Sequence, residues 1–226
     1  KNIGYGAAIN FGSKYVKTKY FLVMNPDTKI YNNTIKNLLI AAEKLKVFGA
    51  LSPDQIENKN KKSIKNNFVK QKQLDGGAML FDKKIFKKIK GFDENIFLYY
   101  EENDFYHKCD LLKYDLFLIK NSYFYHSQKG DSSSAIFNNS KEKKYAYMVG
   151  GWHGQWSKFY YLNKYNSYLY SLIKCFPGLI NNFIKLILNI FINFNKEKYL
   201  YFKIEGLICS IFGMPSFKRN KYDNYN

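Results

Sequence analysis

Short apolar runs alternate with amphipathic stretches over the first half of the chain, and the pattern turns helical and aromatic over the second. Tyr20 to Met24 (YFLVM) is a continuous apolar run halted by Pro26, as expected of a buried strand. Asn32, Asn33 and Thr34 offer N-cap chemistry for a helix on which Ile35, Leu38, Leu39, Ala42 and Leu45 share a face. Phe48 to Leu51 and Gly77 to Phe81 (GAMLF) read as further strands. Between them Asn58 to Lys72 is rich in lysine and asparagine, and a solvated loop is expected there. Asp82 to Lys90 predicts a short helix with Ile85, Phe86 and Ile89 inward and Gly91 as its cap. A helix opening at Asn103 or Asp104, a strand at Leu116 to Ile119 and an extended run at Tyr123 to Tyr125 complete the alternation. Strands and helices in turn predict an α/β architecture with acidic residues at strand ends.

From about Lys141 helix replaces alternation. Phe176 to Phe194 is apolar over nearly a membrane-spanning length, yet Asn181, Lys185, Asn189 and Asn193 recur every four residues as a narrow polar stripe. Lysine and asparagine near the centre argue against a span. The helix is expected either to lie in a membrane interface or to pack on its own domain. Trp152 and Trp156 flank His153 in GGWHGQW, which reads first as helix packing and second as a sugar-stacking or membrane-interface surface. His107 and His153 have no context that assigns them a role.

Composition narrows the class. With 46% apolar and 19% aromatic residues among 226, a folded chain is expected despite a formal charge of +18. That charge is carried by lysine; Arg219 is the only arginine, so no guanidinium fork for reading guanine precedes the tail. A basic surface of this kind favours anionic partners such as nucleotide-sugars or acidic lipid headgroups. Cys109, Cys175 and Cys209 match neither a disulfide framework nor a zinc motif, which fits a reducing compartment. The chain opens at Lys1, with no initiator Met and no signal-peptide pattern, in what reads as the middle of a fold. A fragment is therefore expected.

The chemistry-bearing residues recur at the ends of apolar runs. Asp27 follows a strand and a proline-set turn, where a carboxylate would stand at the carboxyl edge of a sheet and could hold Mg²⁺ or Mn²⁺; a simple β-turn is the plainer reading. Glu101, Glu102 and Asp104 crowd like charges after the apolar Ile96 to Tyr100, which raises at least one pKa and suits a general base. A charged first helical turn is the plainer alternative. His126 ends an aromatic run and gains meaning only as a partner of Asp27, since imidazole and carboxylate can share one divalent ion. Asn2 to Gly12 (NIGYGAAINFG) permits close backbone approach, or a tight strand-to-helix turn, but lacks the GxGxxG spacing.

Taken in order, FLVMNPDT (Phe21 to Thr28), LDGGAMLF (Leu74 to Phe81), GFDENIFLYYEEND (Gly91 to Asp104) and His126 with Gly130 and Ser132 resemble glycosyltransferase family 2, GT-A type, in its rhamnosyltransferase-like branch. The resemblance covers roughly residues 1 to 135. It implies a GT-A-like (Rossmann-like) mixed sheet flanked by helices, truncated at its N-terminus, with a C-terminal helical appendage. Residues 1 to 138 would be a partial catalytic domain and 139 to 226 a helical, membrane-associating region. It further implies inverting transfer from a nucleotide-sugar to an acceptor hydroxyl in cell-surface polysaccharide or glycolipid synthesis, on the cytoplasmic face of the membrane. Asp27 and His126 would hold the metal, Glu102 would be the base, with Glu101 as the alternative, and Asp104 would support the site. Asn25, Asp75, Gly76 and Gly77 would line the donor and acceptor side.

The departures are Asn25 where the fuller motif has a carboxylate, Glu102 where aspartate is usual, and one extra residue between His126 and its glycine. The family's nucleotide-holding strands would precede Lys1, which implies that this chain alone is an incomplete catalyst. Two other functions compete. A sugar nucleotidyltransferase would want a glycine-rich, arginine-bearing phosphate loop, and a non-enzymatic basic module binding nucleic acid or membrane leaves the acidic series unexplained.

Overall fold

The computed structural model describes residues 2–55, 67–126, 140–192 and 197–219. The chain forms two compact units. One comprises Ile9–Phe92 and Glu102–Ile136; the other joins Lys1–Ala8, Asp93–Glu101 and Phe137–Asn226. The helical C-terminal region thus takes in two short segments from earlier in the chain. Gly130 and Ser132 of the resemblance, and Asn193 of the polar stripe, lie outside the described residues.

The first unit is mixed α/β. Its six strands are β1 (Tyr20–Met24), β2 (Thr28–Ile30), β3 (Ala50–Gln55), β4 (Phe68–Gln71), β5 (Ala78–Asp82) and β6 (Leu116–His126). Its helices are α1 (Tyr5–Tyr15), which starts in the other unit, α2 (Thr34–Leu45), α3 (Lys83–Lys88) and α4 (Glu101–Leu111). The sheet order is β1-β5-β3-β6-β2, with β4 also on β6. Among the described residues only β3 and β6 run parallel; the other described pairs are antiparallel.

Alternation along the strands builds a core on each face of the sheet. Met79 and Phe81 of β5 pack with Ile85, Phe86, Phe92 and Phe105, while Leu80 between them packs with Leu38, Ala41 and Ala42 of α2. The first cluster is largely aromatic: the Phe105 ring lies 5.0 Å from that of Phe92 and 5.4 Å from that of Phe81. Helix α3 starts as its sequence predicts. The Asp82 carboxylate accepts hydrogen bonds from the N–H groups of Lys84 at 2.8 Å and Ile85 at 3.0 Å. It ends in a Schellman motif, with Gly91 N–H donating to the Phe86 carbonyl and Lys90 N–H to that of Lys87. The left-handed residue is Lys90 as well as Gly91.

Several expectations need correction. Ile35 and Leu39 are exposed, because the buried stripe of α2 runs through Thr34, Leu38, Ala41 and Ala42. Its N-cap residue Asn33 is left-handed and makes no side-chain cap, so the expected capping bond is absent. The end of the lysine-rich stretch is strand β4, paired to Leu116–Ile119. Phe68 and Val69 are its apolar part, too short a run beside Lys70 and Gln71 to stand out from the lysine-rich stretch. The two runs at 116–119 and 123–125 are one strand, β6. Helix α4 opens at Glu101 rather than at Asn103, and Asn2 to Gly12 leads into helix α1.

The second unit is built on α5 (Ser140–Tyr165), α6 (Tyr168–Ile192) and α7 (Glu197–Ile211). Gly206 lets α7 approach α5 closely: a Cβ there would come within 2.2 Å of the Trp152 carbonyl oxygen. The GGWHGQW stretch is a packing element. Trp152 and His153 are fully buried, and Trp156 donates through Nε1 to the Met214 carbonyl at 2.9 Å. The His153 ring lies 2.8 Å (Nε2) from the Lys218 carbonyl and 3.0 Å (Nδ1) from the Ser216 hydroxyl, tying the 214–219 segment to α5. Asp93 accepts from Lys164 at 2.6 Å and from the Tyr160 hydroxyl at 3.0 Å. Burial alone would raise its pKa, but these bonds and that from Asn95 outweigh it and hold the carboxyl below its usual range.

Two substitutions separate capping from packing in the first unit. Asp82→Ala is expected to cost about 1 kcal/mol, the loss of one cap, and Phe105→Ala about 3–5 kcal/mol, a cavity among the aromatic rings. Urea unfolding followed by circular dichroism checks both, and equal losses would contradict the assignment.

Candidate active site

The sheet's pairing gathers the sequence's scattered acidic groups. Strand β1 runs into the turn 25–28, where the Asn25 N–H donates to the Gly77 carbonyl at 2.9 Å. The Asn25 carbonyl accepts from the Thr28 N–H at 3.1 Å and from the Thr28 hydroxyl at 2.6 Å, closing the turn around Asp27. Strand β2 then sets Thr28 opposite His126, the last residue of β6. Asp27 and His126, 99 residues apart in sequence, become neighbours through that register.

His126 lies between two carboxylates. Its Nε2 is 3.4 Å from Asp27 Oδ1 and its Nδ1 is 3.3 Å from Asp75 Oδ1. Asp75 Oδ1 is itself held by the Gly77 N–H at 2.8 Å. The ring is stacked on Phe124 at 6.2 Å between centroids. Neither Asp27 Oδ1 nor His126 Nδ1 has a partner with hydrogen-bond geometry, although both are buried atoms. Such atoms are costly to leave unmatched, and a ligand that supplies the missing contact removes that cost.

Glu102 completes the group from the first turn of α4. Its carboxylate lies against Gly76: a Cβ at that glycine would fall 1.5 Å from Glu102 Oε1. No side chain fits at position 76 with the carboxylate in place. Burial, joined by the negative charge of Asp75 and opposed by His126, pushes the Glu102 pKa from 4.5 up to about 7. The two residues before α4, Tyr99 and Tyr100, are both left-handed at φ 64° and 68°.

Among the sequence-predicted residues, Asp27, Asp75, Gly76, Gly77, Glu102 and His126 converge. Asn25 belongs to the same place through its backbone. Asp104 is fully buried and sits 3.2 Å from Lys108, one turn along α4, so it braces the helix. Glu101 is buried and groups with the other compact unit. Thr28 and Phe124 escaped the sequence reading. The three-residue strand that carries Thr28 is too short to leave a periodic signal.

Among the described residues no group of three or more His, Cys, Asp or Glu side chains is placed to hold an ion. The spacing of Asp27 and His126 is nevertheless one that two donors of a single divalent ion can take. Adjacent donors of an octahedral ion with bonds of ~2.1 Å stand about 3 Å apart, close to the 3.4 Å between Asp27 Oδ1 and His126 Nε2. Such ions commonly take one or two protein ligands and fill their sphere with phosphate oxygens and water. No family model and no curated protein matches the chain.

The raised Glu102 pKa makes a stability prediction. Because the folded chain favours the protonated form, ionisation costs nothing near pH 4, grows through the window from pH 4.5 to about 7, and is fully felt above it. Each pH unit of displacement is worth about 1.4 kcal/mol, so the full cost is about 3 kcal/mol. Glu102→Gln is expected to remove that loss and to be the more stable protein at pH 8 while matching the parent near pH 4. Urea unfolding at the two pH values checks it; parallel pH dependence of the two proteins would refute the burial of this carboxylate.

Proposed function

We propose that the first unit is a GT-A-like transferase that moves a sugar, with inversion, from a nucleotide-sugar to an acceptor hydroxyl. The observation that carries this reading is a buried carboxyl poised near neutrality, Glu102, beside the Asp27–His126 pair with its unmatched atoms. A general base works best with a pKa close to the working pH, and Glu102 meets that condition. The ordered motifs around Asp27, Asp75–Gly77 and Glu102 supply the likeness to family 2 glycosyltransferases. The acceptor class proposed is a saccharide or lipid-linked saccharide of the cell surface, reached from the cytoplasmic side, where nucleotide-sugars are made.

In this mechanism Glu102 takes the proton from the acceptor hydroxyl as the oxygen attacks the sugar's anomeric carbon. Burial and the Asp75 charge, which raise its pKa, stabilise the protonated carboxyl that results. Gly76 leaves the room in which that carboxylate sits. The turn at Asn25–Thr28 and the β2–β6 register keep Asp27 beside His126. Asp27 and His126 would hold Mg²⁺ or Mn²⁺, whose charge neutralises the departing diphosphate. Asp75 places its charge 3.3 Å from the other ring nitrogen of His126.

Calorimetric titration of UDP-, dTDP- and GDP-sugars into the protein, with Mn²⁺ and with EDTA, tests the reading. One donor is expected to bind only with metal, and Asp27→Ala to abolish that binding. Binding unaffected by EDTA would exclude the metal role, and no donor binding at all would remove the transferase. Glu102→Gln is expected to lower kcat by about 10²–10⁴-fold, the usual contribution of a general base, with donor affinity unchanged. In the parent enzyme kcat/KM should rise with pH through an apparent pKa near 7. Gly76→Ala should displace the carboxylate and move that inflection toward the ordinary carboxylate range.

A further inference from the structure

Helix α6 packs through only one side. Ser171, Cys175 and Asn182 are buried, and Leu172 and Leu179 pack against Phe159, Leu207 and Ile211 of the neighbouring helices. At 100° per residue these positions fall on one arc. A second arc carries Leu169, Ile173, Phe176, Ile180, Ile184 and Ile187, all exposed, with Leu169 at 65% and Ile187 at 54%. The third arc carries Lys174, Asn181 and Lys185, also exposed. Tyr168 and Tyr170 stand exposed at the helix start. No Asp or Glu occurs anywhere in the 25 residues of α6.

We infer that the open face of α6 lies flat in the interface of a bilayer with acidic headgroups. A contiguous exposed apolar stripe of six large side chains is the kind of patch that marks an interaction surface. Lys174 and Lys185 on the adjoining arc are exposed and placed to meet lipid phosphates. Tyr170 near the helix start, with the Lys174 ammonium 5.5 Å from its ring centroid, is a side chain that favours the headgroup level. A span is disfavoured although the 22 residues Tyr168–Asn189 have the length and a mean hydropathy of 1.3. One side of the helix is already covered by protein, and two lysines with Asn181 lie along another. A second copy is disfavoured by charge. Two chains of +18 would bring lysine-flanked faces together with no acid on α6 to match them, whereas an anionic surface attracts the same face. The inference does not depend on the transferase reading, since it rests on the other compact unit.

The test is vesicle co-sedimentation of the whole chain with phosphatidylcholine alone and with phosphatidylcholine containing one quarter phosphatidylglycerol. Binding to the acidic vesicles is expected to be at least tenfold tighter and to weaken with salt. Ile180→Asn with Ile187→Asn should weaken it about a hundredfold, tenfold for each apolar side chain withdrawn. Lys174→Glu with Lys185→Glu should remove the preference for acidic lipid. Equal partition to both vesicles, or none, would overturn the inference. So would resistance to alkaline carbonate extraction, which marks a span, or a dimer in sedimentation equilibrium that the isoleucine substitutions dissolve without any vesicle binding. As a check free of disruptive substitutions, an environment-sensitive fluorophore at Ile184→Cys should shift to the blue on acidic vesicles, the three native cysteines being buried; an unchanged spectrum refutes insertion. Asp27→Ala should bind vesicles like the parent, which separates this result from any failure of the sugar-transfer reading.

Discussion

Strand β6 is the constraint on which the first unit depends. It pairs with β3 along one edge and with both β4 and β2 along the other, β4 at its start and β2 at its end. A strand's side chains alternate with period two, so a slip of one residue would turn His126 away from the turn that carries Asp27. Register here is doubly specified. Phe124 and Ile119 are fully buried and cannot exchange faces without losing the core, and Thr34 and Ser122 add cross-links from α2, donating to the Tyr123 and Thr34 carbonyls.

Once that register holds, electrostatics does the rest with few groups. Three carboxylates and one imidazole meet in a partly water-excluded place, where like charge and burial act in the same direction on Glu102. A glycine at 76 is a steric requirement of that arrangement rather than a matter of backbone freedom, because the space its side chain would occupy is taken by the Glu102 carboxylate. Gathering these groups is costly for folding, because the Glu102 carboxyl is held away from the charged form it would take in water.

The second unit solves a different problem. Its α5 and α7 pack through Trp152, Gly206 and the buried His153 link to the 214–219 segment, leaving α6 with one face satisfied and one open. The polar stripe of asparagines that argued against a span is not the face that packs. Asn182, beside the stripe, is the buried one, while Asn181 and Lys185 stay outside.

Local sequence by itself determined β1, β5, α3 and the helical character beyond Lys141, because apolar run length and helical period are properties of neighbouring residues. It also named the acidic residues and His126 as candidates, since side-chain type is visible without a fold. Which of them meet was decided by tertiary structure alone. The choice of Glu102 beside Gly76, the separation of Glu101 and Asp104 from that group, and the pairing of Thr28 with His126 all depend on contacts between residues far apart in the chain. Edge strands β2 and β4 were hidden for the same reason: their stability comes from the ladder that β6 offers them, and nothing in their own few residues announces it.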